Sequence, residues 1–191
     1  MAHIFDPEDR HKLDNTQRRS LMPPEETLVK AGIKPGDTVL DLGCGMGYFA
    51  VPASRMVGPK GMVYAVDASG VMLAELRSKA SREGLFNIRT SQTPIGKLEL
   101  PEAGYTLALL VNVLHEVDDK KSFLAALAAG LKPGARLAVI EWKKAETPAG
   151  PPLKERISED EMQVLLKKAG FSEPATAELT PSSLLYTCQK K

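Results

Sequence analysis

A short apolar run that leads directly into a cluster of alternating glycines restricts the fold of this chain more than any other feature. The run is Thr38–Leu42, and the turn after it reads Gly43-Cys-Gly-Met-Gly47. Its position between Pro35-Gly36 and the glycines predicts a buried strand. Glycines permit a tight turn and close approach of a ligand to the main chain, because they have no β-carbon. We therefore expect a strand, a ligand-binding turn and a helix N-terminus in succession.

Strands and helices are predicted to alternate along the rest of the chain. Further apolar runs lie at 62–66, 86–91, 105–111 and 136–141. Helical periodicity separates these runs, and Ser69 and Ser158 are predicted N-caps of two of the helices. Two closely spaced strand candidates, 171–179 and 184–189, predict a hairpin at the end of the sequence.

Five strands that alternate with helices require right-handed crossovers and a mostly parallel sheet. The predicted fold class is α/β, a Rossmann-like three-layer α/β/α sandwich. Its seven-stranded sheet is mostly parallel and ends in an antiparallel hairpin. Residues 1–34 are predicted to form a helical segment ahead of a single domain, 35–191. Ligands of such sheets bind at the carboxyl ends of the strands, where the strand order reverses.

The composition disfavours several classes of protein. Lys and Arg number 25 and Asp and Glu number 24, so the formal net charge is +1. This balance argues against a protein that binds nucleic acid through its phosphates. Two cysteines, Cys44 and Cys188, suggest neither a disulfide framework nor a metal site. The sequence has no signal-peptide pattern and no apolar run of ~20 residues, so we expect a cytoplasmic protein without a membrane span.

The glycine turn by itself is compatible with several nucleotide cofactors. A phosphate-binding loop requires a Lys and a hydroxyl residue that are absent here, whereas the dinucleotide pattern Gly-x-Gly-x-x-Gly/Ala matches residues 45–50. Asp41, two residues ahead of Gly43, distinguishes the remaining ligands, because its carboxylate repels a pyrophosphate and attracts an ammonium or a sulfonium. Asp67 ends the second predicted strand, where a carboxylate accepts hydrogen bonds from ribose hydroxyls.

Three segments, in this order, resemble the motifs of class I S-adenosylmethionine-dependent methyltransferases. They are Val-Leu-Asp-Leu-Gly-Cys-Gly-Met-Gly-Tyr-Phe at 39–49, Tyr-Ala-Val-Asp at 64–67 and Leu-Lys-Pro-Gly-Ala-Arg-Leu at 131–137. The resemblance covers about residues 35–189. It is closest to the small-molecule methyltransferases that include the ubiquinone/menaquinone C-methyltransferases and the arsenite methyltransferases. It implies S-adenosylmethionine as the cofactor and S-adenosylhomocysteine as the product.

The resemblance also implies which residues contact this cofactor. The glycines of the turn would line the methionine part, Asp67 would hold the ribose, and Ala68 and Ser69 would lie beside the adenine. Pro94 occupies the position of the family's usual acidic adenine ligand, so the adenine contact is expected from the main chain or from neighbouring polar side chains. The predicted cofactor-binding residues are Asp41, Gly43, Cys44, Gly45, Gly47, Asp67, Ala68, Ser69, Thr93, Pro94, Ile95 and Asn112.

His115, Glu141 and Arg156 are the predicted catalytic residues. Methyl transfer is an in-line displacement, for which the enzyme must position the acceptor and exclude water. His115 follows the fourth strand and is either a general base or a residue that packs near the cofactor. Glu141 ends the fifth strand at the same edge. Arg156 is either a clamp for a carboxylate or phosphate on the acceptor, or a surface or capping residue.

Two further segments are candidate walls of the acceptor site. Trp142 either stacks on a substrate or packs at the edge of the core, and the long loop after it lies at the ligand edge. Residues 1–34 either close over the site as a lid or form a solvated amphipathic helix. The lid candidates are Phe5, His11, Lys12, Leu13 and Met22.

The leading hypothesis is an S-adenosylmethionine-dependent methyltransferase that acts on a small-molecule acceptor, as a monomer or homodimer without a nucleic-acid partner. The absence of a thiol cluster disfavours arsenite as the acceptor. One alternative is an NAD-dependent oxidoreductase that uses the same turn, which would require a catalytic Tyr-x-x-x-Lys or a similar set of residues. The other alternative is a non-catalytic module that binds the cofactor.

Overall fold

The fold follows from a computed structural model that describes residues 14–94, 98, 100 and 104–191. The strands are β1 (Thr38–Leu42), β2 (Met62–Asp67), β3 (Ile88–Gln92), β4 (Tyr105–Val111), β5 (Leu131–Trp142), β6 (Ala175–Thr180) and β7 (Ser183–Gln189). The helices are α1 (Thr16–Leu21), α2 (Pro24–Lys30), α3 (Ala50–Val57), α4 (Gly70–Arg82), α5 (Lys120–Gly130) and α6 (Glu159–Lys168). Short 3₁₀ turns lie at Leu114–Glu116 and Leu153–Glu155.

The sheet has the order β3-β2-β1-β4-β5-β7-β6. Strands β1 to β5 pair in parallel, whereas β7 is antiparallel to both β5 and β6. The predicted seven-stranded sheet and terminal hairpin are therefore confirmed. Strand β1 lies between β2 and β4, so that Leu42 pairs with Val66 on one side and with Leu110 on the other. Strand order reverses between β1 and β4.

Alternate residues of the central strands contribute to two separate apolar layers. Leu40 and Leu42 pack on the side that α5 and α6 cover, together with Phe123 and Met162. Val39 packs on the opposite face, which α2, α3 and α4 cover. Because successive side chains of a strand point to opposite faces, an apolar strand can supply both layers. This arrangement is the predicted three-layer sandwich.

Two predicted helix caps are confirmed, whereas β3, β5 and β6 do not begin where predicted. The Ser69 hydroxyl accepts a hydrogen bond from the N–H of Met72, and the Ser158 hydroxyl accepts one from the N–H of Glu161. Strand β5 begins earlier than predicted, because Leu131 pairs with Tyr105 ahead of a register shift. Strand β3 begins later than predicted, at Ile88, whereas Phe86 is 93% exposed. Strand β6 begins at Ala175 instead of residue 171, since Phe171 forms an isolated bridge with Lys190 outside the strand.

The first described helix is attached to the glycine-rich turn through one aromatic residue. The Tyr48 hydroxyl donates a hydrogen bond of 2.8 Å to the carbonyl of Met22. The guanidinium of Arg18 lies 4.4 Å from the centroid of the Tyr48 ring. Asp14 lies 3.5 Å from the ammonium of Lys79 on α4. These contacts hold α1 beside the carboxyl end of β1.

The packing predicts a large cost for a cavity beneath α5. We expect Leu40→Ala to lower the free energy of unfolding by about 2–5 kcal/mol, because Leu40 is fully buried and its truncation leaves a void. Val164→Ala is the control, since Val164 is 48% exposed and should change stability by less than ~1 kcal/mol. Equilibrium denaturation in urea measures both, and equal effects would contradict the assigned core.

Candidate active site

A cavity of about 1690 Å³ opens at the carboxyl ends of β1, β2, β4 and β5. Pockets for one small ligand usually enclose roughly 300–1,000 Å³, so this cavity has room for two molecules side by side. It lies at the point where strand order reverses, which is where open α/β sheets bind ligands. Of the predicted cofactor-binding residues, its wall includes Asp41, Gly43, Asp67, Ala68, Ser69, Thr93, Pro94 and Asn112.

The glycine turn is tied to the end of β2 by its own main chain. The N–H groups of Gly43 and Cys44 both donate to the carbonyl of Val66, at 2.8 and 3.1 Å. Gly43 has a φ of 69°, and a β-carbon there would lie 2.3 Å from a methyl group of Val113. Gly43 therefore has no room for a larger residue. It lines the cavity, whereas the predicted residues Cys44, Gly45 and Gly47 do not.

Asp41 is a buried carboxyl on the cavity wall, near the end of β1. The side chain is 2% exposed, and no group of the described residues donates to its Oδ2 atom. Burial and the charge of Asp67 raise the pKa of Asp41 to about 7, against the charge of Arg18 and a hydrogen bond from the Ala50 N–H. An ammonium group would supply the missing donor and favour the ionised carboxylate.

Asp67 organises the turn and the next helix at the same time. Its Oδ2 accepts a 2.8 Å hydrogen bond from the Gly45 N–H, and its Oδ1 accepts one of 2.8 Å from the Ser69 N–H. A carboxylate has about four lone-pair sites, so both oxygens retain capacity for ribose hydroxyls. The adjoining wall contains Thr93 and Pro94. The predicted adenine contact at Ile95 lies outside the described residues.

The structure brings His115 and Glu141 together from two neighbouring strand ends. His115 Nδ1 lies 2.8 Å from Glu141 Oε2, and the His115 N–H donates to Glu141 Oε1 at 3.2 Å. Both side chains are buried, but His115 lies on the cavity wall. Burial opposes protonation, yet the hydrogen bond and charge of Glu141, with the charges of Glu116 and Glu155, raise the pKa of His115. Glu141 therefore orients the imidazole and stabilises its protonated form.

Unpaired buried side-chain oxygens are concentrated at this cavity. In the described part of the chain, four such atoms have no hydrogen-bond partner, and three of them belong to Asp41, Asn112 and Glu155 on the cavity wall. The fourth, Thr27 Oγ1, belongs to α2. Asn112 also has a positive φ of 55°, an uncommon conformation for a residue other than glycine. Because buried polar atoms are normally hydrogen-bonded, three exceptions at one cavity indicate a ligand site.

Arg156 does not have the geometry of a clamp for the acceptor. Its guanidinium donates to the carbonyls of Pro151, Lys143, Ala145 and Ala149. A guanidinium has five N–H donors, so four bonds to the main chain leave at most one for another partner. These bonds favour a structural role for Arg156, which holds the loop that carries Pro148, Pro151 and Pro152 of the cavity wall.

Several wall residues were not singled out from the sequence. Arg18 on α1 lines the cavity together with Met22, which was a lid candidate. The remaining lid candidates at 5–13 lie outside the described residues. Pro148–Pro152 and the hairpin turn at 180–183 complete the far wall, on which Trp142 also lies. Only the polarity and length of these segments were visible in the sequence, and neither property shows which residues face a shared cavity.

Comparison with known proteins decides the family. Residues 39–134, half of the chain, match the family model for the methyltransferase domain. The chain belongs to the class I S-adenosylmethionine-dependent methyltransferases. The crystal structure of an S-adenosylmethionine-dependent methyltransferase from Aquifex aeolicus is 34% identical, with a TM-score of 0.90. This similarity covers 98% of the present methyltransferase and 100% of the Aquifex chain.

Two related sequences are C-methyltransferases of ubiquinone/menaquinone biosynthesis. The Marinomonas sp. protein is 34% identical over 122 residues, which are 63% of this methyltransferase and 49% of that protein. The protein of Francisella tularensis subsp. novicida is 35% identical over 121 residues, which are 63% and 48% of the two chains. The present methyltransferase spans about half the length of these relatives.

The described residues lack two features that are typical of other classes of protein. Within the described ranges, no helix has the length and apolar character needed to cross a membrane. In the same part of the chain, no group of three or more His, Cys, Asp or Glu side chains is arranged to hold a metal ion.

The raised pKa of Asp41 predicts a specific pH dependence of stability. An unfolded Asp ionises near pH 4, but folded Asp41 ionises near pH 7. Folding is therefore opposed by ionisation, and the free energy of unfolding should fall between about pH 4 and pH 7, then change no further. We expect Asp41→Asn to remove this decline, so that its stability relative to the parent protein rises by several kcal/mol across that interval.

Urea denaturation at a series of pH values measures this difference. Glu146→Gln is the control, because Glu146 is exposed and lies away from the cavity. A difference between Asp41→Asn and the parent protein that is constant from pH 4 to pH 8 would contradict the burial of an unpaired Asp41 carboxyl.

Proposed function

We propose that this methyltransferase transfers the methyl group of S-adenosylmethionine to a small-molecule acceptor bound in the same cavity. The observation that carries the proposal is one cavity whose wall contains both Asp41, with a carboxyl oxygen that no described residue pairs, and His115, which is hydrogen-bonded to Glu141. When bound, the cofactor supplies a methyl group on a positively charged sulfur. The protein has to orient both molecules, exclude water and accept a proton from the acceptor.

The part of the cavity lined by Asp41, Arg18 and Asp67 suits a zwitterionic amino acid joined to a nucleoside. Asp41 would bind the ammonium, and Arg18, on the same wall, would bind the carboxylate. Asp67 would accept hydrogen bonds from the ribose. The Asn112 side chain adds an unpaired oxygen to this wall. Because Arg18 belongs to α1, its presence there supports the proposal that residues 1–34 act as a lid on the domain formed by 35–191.

His115 is the proposed general base, and Glu141 positions it. An ionised Glu141 that accepts a hydrogen bond from Nδ1–H selects the neutral tautomer in which Nε2 is the acceptor. The second Glu141 oxygen accepts a bond from the main-chain N–H of His115, so the ring has little freedom to turn. After proton transfer, the buried carboxylate stabilises the imidazolium.

Several observations support a small acceptor molecule. The cavity is lined mainly by apolar surface, including that of Phe123, Trp142 and five prolines. The two relatives act, by their names, in ubiquinone/menaquinone biosynthesis.

The near-zero net charge supports a protein that works without nucleic acid, and the free, buried thiols of Cys44 and Cys188 support a reducing cytoplasm. The comparisons give no support to an oxidoreductase.

Calorimetry with two nucleoside ligands tests the donor site. S-adenosylhomocysteine has the amino-acid end, whereas 5′-methylthioadenosine lacks it. We expect Asp67→Asn to weaken both ligands by about tenfold or more, because a charged hydrogen-bond acceptor for the ribose is lost. Arg18→Met should weaken only S-adenosylhomocysteine, by about tenfold or more. Arg19→Met is the matched control, since Arg19 is half exposed and pairs with Asp14.

Two outcomes of this titration would refute the assignments. Binding of NAD, with no binding of S-adenosylhomocysteine, would refute the assignment of S-adenosylmethionine as the methyl donor. If Arg18→Met weakened the binding of both nucleosides equally, the proposed role of Arg18 would be refuted. An assay of methyl transfer to a panel of acceptors distinguishes an enzyme from a non-catalytic module that binds the cofactor.

The role of His115 predicts the pH dependence of kcat. A general base must be neutral, and the pKa of His115 is raised, so kcat at saturating donor should rise with pH through a value above 6.5. His115→Gln should lower kcat by about 10²–10⁴-fold. Glu141→Gln should lower kcat and move the rise to lower pH, because it removes the anion that raises the pKa. If Glu141→Gln left the pH dependence of kcat unchanged, this mechanism would be contradicted.

A further inference from the structure

Trp142 is the last residue of β5 and lies on the cavity wall beside the proposed catalytic pair. It follows Glu141, the hydrogen-bond partner of His115, and it lines the cavity as His115 does. The backbone at Trp142 is fixed by its antiparallel pairing with Ser183 on β7. The indole is therefore carried by an ordered part of the sheet, in the cavity where the acceptor would react.

The loop after Trp142 folds back onto the indole through Gly150. A β-carbon at Gly150 would lie 2.8 Å from the indole atoms Cδ2 and Cε3 and 3.0 Å from Nη2 of Arg156. Gly150 also has a φ of 113°, so its conformation and its contact with the ring both require glycine. The guanidinium of Arg156 lies 5.6 Å from the centroid of the Trp142 ring, within the range of a cation–π contact. Main chain and a cation therefore pack directly against the indole.

Arg156 closes this loop. Its side chain is 6% exposed and donates to the carbonyls of Lys143, Ala145, Ala149 and Pro151. The first two carbonyls belong to the start of the loop and the other two to its later part, so that one side chain ties both together. Breaking these bonds would leave buried polar groups unpaired, which is costly. The indole therefore packs against a fixed loop and has little freedom to turn.

We propose that Trp142 is the specificity-determining residue for the acceptor, and that Arg156 and Gly150 are the positioning residues that hold it. The indole offers the acceptor a flat surface of fixed orientation. A planar conjugated ring stacks on such a surface, whereas a puckered saturated ring of the same size makes fewer close contacts with it. Because the surface is held before the acceptor arrives, binding costs little side-chain entropy. This proposal rests on the proposed function and assigns the shape of the acceptor and the residue that selects it.

Two compounds that differ in planarity test the proposal. They are 2-naphthol and its saturated counterpart decahydro-2-naphthol, titrated by calorimetry into the protein saturated with S-adenosylhomocysteine. We expect 2-naphthol to bind about threefold to tenfold more tightly, because the planar ring stacks on the indole.

Variants of Trp142 show how much of this preference depends on the indole, since the two compounds also differ in the acidity of the hydroxyl. Trp142→Leu should reduce the preference for 2-naphthol to about twofold or less, whereas Trp142→Phe, which keeps a flat ring, should retain most of it. Phe86→Leu is the matched control, because Phe86 is 93% exposed and does not line this cavity. All three variants should retain the parent affinity for S-adenosylhomocysteine, which also shows that they are folded.

The fluorescence of Trp142 tests the two positioning residues. The chain has one tryptophan, so the signal reports this indole alone. Arg156→Lys should lower the fluorescence anisotropy, because a lysine has three N–H donors and cannot bind all four carbonyls. Gly150→Ala should shift the emission maximum, because the new β-carbon occupies the space of the ring. Both variants should also reduce the preference for 2-naphthol to about twofold or less.

Gly170→Ala is the matched control for Gly150→Ala. Gly170 also has a positive φ, 93°, but a β-carbon there would meet nothing within 4 Å. We therefore expect a comparable loss of stability from backbone strain, with the emission of Trp142 and the preference for 2-naphthol unchanged.

The outcomes separate this proposal from the proposed function. If S-adenosylhomocysteine does not bind, the proposed function fails. If it binds but the two compounds bind equally, or neither binds, or decahydro-2-naphthol binds better, the role of Trp142 alone is overturned. Persistence of the full preference in Trp142→Leu would also overturn it. An unchanged anisotropy in Arg156→Lys, or an unchanged emission in Gly150→Ala, would overturn the positioning role of that residue.

Discussion

The parallel pairing of β1 with β2 on one side and with β4 on the other determines which polar side chains meet at the centre of the cavity wall. Parallel strands end at the same edge of the sheet, so Asp41, Asp67 and Asn112 meet there although they are far apart in sequence. The main-chain hydrogen bonds from Gly43 and Cys44 to Val66 extend this pairing into the turn. Without this pairing, the ends of β1, β2 and β4 would not lie side by side, and these side chains would not share one cavity.

The same edge also concentrates polar groups that do little for folding. Among the described residues, none donates to a buried carboxyl oxygen of Asp41 or pairs with the amide oxygen of Asn112, which also has a positive φ. Buried polar atoms of this kind lower stability unless a partner arrives. The two apolar layers of the sheet, which include fully buried Leu40 and Leu107, provide the stability that makes such a site tolerable.

Local signals in the sequence were sufficient for most of the fold. β1 and β4 have the predicted bounds, because an apolar run between breakers is a local property. Ser69 and Ser158 were recognised as caps for the same reason. The start of β5 was not, because Leu131 joins the sheet through its pairing with Tyr105, a contact between distant residues that no local pattern contains.

By itself, the sequence determined the α/β alternation, the glycine turn and the two acidic residues that point to a sulfonium nucleoside, since each depends on residue type and short-range spacing. Only the tertiary structure decided which side chains share a cavity. It joined His115 to Glu141, bound the Arg156 guanidinium to four main-chain carbonyls, and brought Arg18 to the cavity wall. These outcomes depend on where separate elements pack, and a side chain's partner across such a boundary is not encoded in its neighbours along the chain. The turn at Asp41 therefore identifies the methyl donor, whereas the acceptor depends on which side chains the packing brings to the cavity wall.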